Sequence, residues 1–331
     1  MGTRIASCCW SRSRSIVAMP AYSQRGGHNV NMNGHPSLPE GSWDSHLQVI
    51  DSNVFPISST REYTPREATK HQAMTFERSL GMTNVVLVQP SVYGTDNSCL
   101  LDALAAFNGR AVGVCVIDPD NITSQRARQY HAAGVRGIRV RLTNEATPAE
   151  IATLVVKNAA IARRCNWILE LCLPMQTWTY LHEVIPQLGV PVVVEHFAHA
   201  QVGSRTGDEA LTLDPFRQQG FAPFLELLRN GQVYVKLSAP YRNSRSSPAY
   251  GDMRLLAQTF MEAGPDYVVF GSDWPHTAGR EGNAASGGRL MPQHFRTVND
   301  AGLLAVVRSW CGSETHFRKL LVHNPTRLWR R

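Results

Sequence analysis

No apolar run in this chain approaches the roughly 18 residues that a transmembrane helix requires, which excludes a membrane span. There is no Cys-x-x-Cys pair, and the seven cysteines are scattered and odd in number, which argues against a disulfide scaffold and for a reducing compartment. Cys115 and Cys172 lie inside apolar runs, where thiols act as small hydrophobes. Long Lys/Arg tracts and RNA-binding signatures are missing too. The net charge of +7 sits partly in residues 1–39, which hold Arg4, Arg12, Arg14 and Arg25 and no acid. Taking those four arginines away leaves about +3, so no nucleic-acid partner is implied.

Residues 1–39 are rich in Arg, Ser, Gly and Asn, and we read them as a disordered basic leader outside the fold of a cytoplasmic protein. The alternative is a mitochondrial transit peptide, whose composition is similarly Arg- and Ser-rich and acid-poor. Met19 is a second candidate start. The body, residues 40–331, has the composition of an ordinary globular protein, with 43% hydrophobic and 18% charged residues in the whole chain.

From Trp43 onward, short apolar runs alternate with helical stretches. The runs are 43–50, 84–89, 111–117, 137–142, 167–173, 191–196, 232–237 and 267–271. The helical stretches between them are 66–80, 98–107, 124–133, 148–163, 175–187, 215–229 and 252–262, with Pro148 and Pro215 at first-turn positions and Asp214 as a cap. Eight runs in such alternation predict a single (β/α)8 TIM barrel. A doubly wound sheet would alternate as well, but no Gly-rich phosphate loop follows any run.

In that architecture the carboxyl ends of the strands carry the chemistry. The stretch Tyr267-Val268-Val269-Phe270-Gly271-Ser272-Asp273-Trp274-Pro275-His276 ends one strand with an aspartate, which is costly to bury unless something uses or satisfies it. A helix N-cap is the plainer reading of Asp273. The other strand ends bring His46 and Gln48, Gln89, Arg139 and Arg141, then Glu195, His196 and His199, and the stretch from Lys236 to Arg242.

Trp43-Asp44-Ser45-His46-Leu47-Gln48 together with Gly271-Ser272-Asp273-Trp274-Pro275-His276 resembles the amidohydrolase superfamily. Within it the chain resembles the branch of 2-pyrone-4,6-dicarboxylate lactonase and sugar-lactone hydrolases. Arg61–Pro65, Gln89–Asn97, Gly134–Arg139, Glu195–His199, Val235–Ser238 and His323–Leu328 add to the likeness, in the expected order from about Ser42 to the C-terminus. Metal-dependent members carry Asp-x-His-x-His on strand 1, whereas here the second histidine position is Gln48, and an amide is a poor zinc ligand. No lysine ends strand 4 to bridge two metals. The resemblance to the pyrone lactonase therefore implies no cofactor and a metal-independent reaction. The alternative is one divalent metal, zinc or manganese, on His46, His196 and Asp273.

The reaction so implied is hydrolysis of a small carboxylated or hydroxylated lactone. Asp273 is the expected general base, with His46 and His196 polarising the carbonyl and Tyr63 donating near it. Arg139 and Arg242 match positions that bind substrate carboxylates in the lactonase, and a guanidinium fork suits a carboxylate. Arg141 shares the face of Arg139. Gln48 and His276 complete the expected substrate contacts, His276 having orientation of Trp274 as its alternative role, while Tyr93 and Tyr241 are expected to be pocket wall. The lactonase carries a further arginine in the loop after strand 4, where this chain has residues 142–147 with Glu145, and an acidic residue there argues against a dicarboxylate of the same shape. Loops 243–251 and 277–293 are expected to cover the site. Two rival functions stand beside this one: a metal-dependent decarboxylase of an aromatic or unsaturated acid, and a catalytically silent ligand-binding barrel. The partner implied is a small-molecule substrate, and a homo-oligomer is left open.

Overall fold

The computed structural model describes residues 38–142 and 146–330, so nearly all of the leader lies outside the described residues. Eight strands form one parallel sheet in chain order. They are β1 (Trp43–Leu47), β2 (Asn84–Val88), β3 (Ala111–Cys115), β4 (Val135–Arg141), β5 (Ile168–Cys172), β6 (Val192–Val194), β7 (Val233–Leu237) and β8 (Val268–Phe270). Their Val-rich sequences are buried on both faces, as parallel strands are when helices cover the sheet. Each lies within its expected run except β4, which begins earlier, at Val135.

The principal helices are α1 (Lys70–Leu80), α2 (Ser98–Phe107), α3 (Ser124–Ala132), α4 (Pro148–Cys165), α5 (Trp178–Val184), α6 (Phe221–Arg229), α7 (Arg254–Ala263) and α8 (Asp300–Cys311). Local chemistry sets their ends. Thr69 and Gln72 form a capping box that starts α1 at Lys70, and Thr147 with Glu150 does the same ahead of Pro148 in α4. The expected helix 215–229 is divided: Asp214 caps a short turn at Pro215–Arg217, and α6 starts only after Gly220. Gly220 has φ +88°, and a Cβ there would lie 2.0 Å from Met175 O, so the chain bends at a residue only glycine can occupy.

The sheet closes on itself between its first and last strands. Asp273 N donates to His46 O and Gln48 N donates to Trp274 O, both at 2.9 Å. Gly271 permits this approach, since a Cβ on it would sit 2.7 Å from His46 Cβ. Asp44 reinforces the same seam: its Oδ1 accepts from His46 N at 3.0 Å and from Ser272 N at 2.9 Å.

Trp43, Val86, Val88, Val114, Ile168, Val193, Tyr234 and Val269 pack together inside the barrel, with Leu328 and Trp329 of the C-terminal helical turn against them. A larger apolar cluster fills the space between strands and helices, including Leu104, Phe107, Val155, Phe224 and Phe260. Because side chains alternate along a strand, Glu170, Glu195 and Lys236 lie on the same faces as Ile168, Val193 and Tyr234, two positions nearer the carboxyl rim. A charged layer thus sits directly on an apolar floor.

Candidate active site

Asp273 follows β8 with φ +63°, a left-handed conformation that is strained for a non-glycine residue. It caps no helix. Its Oδ2 accepts from Tyr241 Oη at 2.6 Å, from Arg242 Nη2 at 3.0 Å and from Arg242 Nε at 3.2 Å. Its Oδ1 instead faces His46 Nε2 at 3.4 Å and His196 Nε2 at 3.9 Å. Burial alone would raise this carboxyl, but Arg242, the two imidazoles and the Tyr241 hydrogen bond overcome it and hold the group below the ordinary carboxylate range.

His46 is fully buried at the end of β1. Its Nδ1 lies 3.3 Å from Lys236 Nζ and 3.4 Å from Glu170 Oε1, while its Nε2 makes no hydrogen bond within the described residues. Burial, with the Lys236 charge beside it, holds the imidazole well below its usual pKa and therefore neutral. Lys236 and Glu170 form a wholly buried ion pair at 2.7 Å, and Lys236 Nζ also lies 5.4 Å from the centre of the Trp329 ring. Burial pushes the Glu170 carboxyl up to about 8, against the pull of the Lys236 ammonium.

After β6 the backbone makes a left-handed turn. His196, Phe197, Ala198 and His199 have φ of 51°, 54°, 54° and 55°, a run that L-residues avoid. Asn243 holds it by donating from Nδ2 to His196 O at 3.1 Å and to Ala200 O at 2.6 Å. The turn brings His196 and His199 edge to face at 5.4 Å between ring centres, and His196 lies 4.9 Å from His46 by the same measure. Ser238 Oγ lies 2.9 Å from His196 Nδ1. His199 Nε2 contacts Cys172 Sγ at 3.4 Å.

His196 and His199 line a cavity of about 840 Å³ whose wall includes Gln48, Tyr63, Arg139, Arg141 and Arg242, and Asp273 and His46 are buried directly behind His196 and Arg242. Arg139 reaches the cavity, but its fork is already engaged: Nε and Nη2 each donate to Glu195 at 2.7 Å, and Nη1 donates to Gln89 O at 3.0 Å. Burial would raise Glu195, yet Arg139 and His46 hold it well below its ordinary value. Arg141 stands higher on the wall, paired at 2.8 Å with Glu62, which Arg280 also contacts. Tyr63 Oη reaches Thr277 Oγ1 at 3.5 Å.

Several expectations need correction. His276, expected on the substrate, is turned behind Asp273: its Nδ1 lies 3.3 Å from Tyr241 Oη and its Nε2 lies 3.0 Å from Asp300 Oδ2. It does not line the cavity, because its own left-handed backbone (φ +64°) aims the ring toward α8. Tyr241, expected as wall, instead hydrogen-bonds Asp273. Loop 277–293 supplies Thr277 to Glu281 to the wall, whereas residues 243–251 supply none. Glu145 lies outside the described residues.

The sequence reading places Glu195 and Lys236 at strand ends but assigns them no role, and it misses Glu170. The signal was present in Ile168-Leu169-Glu170-Leu171-Cys172 and Val233-Tyr234-Val235-Lys236-Leu237, each an apolar strand interrupted by one charge. Two interruptions of opposite sign in one barrel predict a buried pair.

A family model described as Amidohydrolase matches residues 30–331. The 4-sulfomuconolactone hydrolase of Hydrogenophaga intermedia is 30% identical over 299 residues, covering 88% of this chain and 89% of that protein. The 2-pyrone-4,6-dicarboxylate hydrolase of Comamonas testosteroni is 29% identical over 303 residues, covering 88% of this chain and 91% of its own. In fold, a crystal structure of a probable 2-pyrone-4,6-dicarboxylic acid hydrolase from Acinetobacter baumannii superposes with a TM-score of 0.66 at 24% identity, covering 88% of this chain and all of that one. The barrel with its convergent rim and a family match running through the whole of it agree: the chain belongs to the amidohydrolase family.

Proposed function

We propose that this protein hydrolyses a small lactone carrying an anionic group, without a metal, and that Asp273 is the general base. One observation carries the reading: the two oxygens of Asp273 are divided, Oδ2 being held by Tyr241 and Arg242 while Oδ1 faces two imidazoles, of which His196 lines the cavity. The names of the relatives, both lactone hydrolases, support the reaction class.

In this mechanism a water hydrogen-bonded to Oδ1 attacks the lactone carbonyl carbon and passes its proton to Asp273. The carbonyl π electrons move onto oxygen, where His46 and His196 stabilise the developing charge. Collapse of the tetrahedral adduct breaks the ring C–O bond, and the proton held by Asp273 goes to the departing ring oxygen. The product is the open hydroxy acid. Arg141, Arg242 and Gln48 bind the anionic group and orient the ring, with Tyr63 beside the carbonyl.

Donor atoms of His46, Glu195 and His196 lie within 4.8 Å of one another, close enough to share one ion. The charges around them oppose it. Arg139 occupies both oxygens of Glu195, Arg242 sits on Asp273, and Lys236 stands 3.3 Å from His46 Nδ1. Each carboxylate that would neutralise a divalent cation already has a fixed cation of its own, so the site does not fit a metal well and no step is routed through one.

A panel of anionic lactones assayed with and without chelator tests the proposal. Hydrolysis that survives metal stripping and disappears in Asp273→Asn is the expected result. Activity that chelator abolishes and zinc or manganese restores would overturn the metal-free reading. Turnover of an unsaturated carboxylic acid to carbon dioxide, with no lactone opened, would favour the decarboxylase.

A further inference from the structure

Lys236 and Glu170 take no direct part in the mechanism above, yet they form a fully buried ion pair beneath the cavity floor. A pair so buried is seldom worth its desolvation for stability alone. Its position suggests a use. The groups around Lys236 Nζ are a carboxylate, the face of Trp329 and one nitrogen of His46. An ammonium donates and cannot accept. His46 Nδ1, 3.3 Å away, must therefore accept, and in a neutral imidazole the proton then resides on Nε2. The other side of the ring agrees, since Nε2 points at the acceptor-only oxygen Asp273 Oδ1 across 3.4 Å.

We propose that Lys236, anchored by Glu170, is a positioning residue that fixes His46 as the Nε2–H tautomer, so that a neutral imidazole donates a hydrogen bond to the substrate carbonyl oxygen. The proposal rests on the hydrolytic reading above for its purpose, though not for the tautomer itself. It also assigns the pair a selective function. Were Lys236 absent, a protonated Glu170 would donate to Nδ1 in its place, whereas an ionised Glu170, its Oε1 at 3.4 Å, would draw the proton there. Nε2 would then be a lone pair aimed at Asp273 and at the carbonyl oxygen, repelling both.

The test combines tautomer spectroscopy with kinetics. With the full chain labelled at the histidine nitrogens, and His46 assigned from the spectrum of His46→Gln, two-bond proton–nitrogen correlations report which nitrogen carries the proton. The wild type is expected to show an unprotonated Nδ1 and a protonated Nε2 on His46. Lys236→Met should keep this pattern while Glu170 is protonated and, at a pH high enough to ionise Glu170, exchange the two nitrogens and lower kcat relative to the wild type by about 10²–10³-fold, the usual loss of one oxyanion donor, with little change in KM. The double variant Glu170→Gln/Lys236→Met removes both charges and offers Nδ1 an amide N–H in place of a carboxylate. It should restore the Nε2–H pattern and recover at least about a tenfold part of the lost kcat.

A protonated Nδ1 in the wild type, or a Lys236→Met protein that keeps the wild-type pattern where Glu170 is ionised, would overturn the proposal. So would a double variant that shows the Nε2–H pattern and is no more active than Lys236→Met. The spectra need no substrate. If they follow the expected pattern while no lactone is turned over, the tautomer assignment stands and the hydrolytic reading fails.

Discussion

Tyr241 Oη lies 2.6 Å from Asp273 Oδ2, the shortest of the three hydrogen bonds that hold this oxygen. The contact fixes which oxygen of Asp273 is free to accept a proton. Asp273→Asn keeps the shape of the side chain and removes the proposed base. It is expected to lower kcat by about 10²–10⁴-fold with a normal circular dichroism spectrum. A loss under tenfold would show that another group takes the water proton.

The pH profile should report Arg242. Asp273 works as a carboxylate, and its pKa lies below the ordinary 3.8. The acid limb of kcat/KM that it governs therefore lies below that value in the wild type. Arg242→Met removes the nearest cation, raises the carboxyl pKa and moves that limb to higher pH. Stability should follow the same sign. The part contributed by ionised Asp273 is present above the unfolded-state value of about 3.9 and is lost as pH falls through the lower folded value. An unmoved acid limb in Arg242→Met would assign it to another group.

Arg141 is partly exposed on the cavity wall and paired with Glu62, so it can turn to an anionic substrate at small cost. Arg141→Met should raise KM by about 10–100-fold, the usual worth of one charged hydrogen bond, with kcat changed far less. If KM is unchanged for every anionic lactone tested, Arg141 serves only its pair with Glu62.

Arg139 and Glu195 are a buried bidentate pair, and removal of one partner strands the other charge. Arg139→Met is expected to destabilise the fold by about 3–5 kcal/mol in urea titration near neutral pH. Glu195 is held well below 4.5, so stability drawn from its ionisation is present above that value and declines as pH falls. A variant as stable as wild type would place the value of Arg139 in substrate binding instead.

How far the sequence could be read depended on the kind of information each feature carries. The strands were legible because both faces are buried, so each is a nearly continuous apolar run, as in Val192–Val194. His46, His196 and Asp273 were legible because each ends such a run, where a core has no need of a titratable group. Direction was not. Nothing in Trp274-Pro275-His276 indicates that the imidazole turns back to Asp300, because that follows from a left-handed backbone at His276 and from a partner on another helix. Likewise Arg139 reads as a substrate clamp until Glu195 is placed 2.7 Å from it by the folding of β4 and β6 into one barrel. The expected helix 215–229 runs too long because the sequence does not show the close approach of Met175 O that makes Gly220 a break.

The seam closed by Gly271 has a consequence for synthesis. His46 lies near one end of the described chain and Asp273 near the other, and the same backbone hydrogen bond, Asp273 N to His46 O, both zips the barrel and aligns the pair. A growing polypeptide cannot hold these two side chains together until its eighth strand has left the ribosome and found the first. The alignment of the two side chains therefore arrives all at once, with the docking of the last strand on the first.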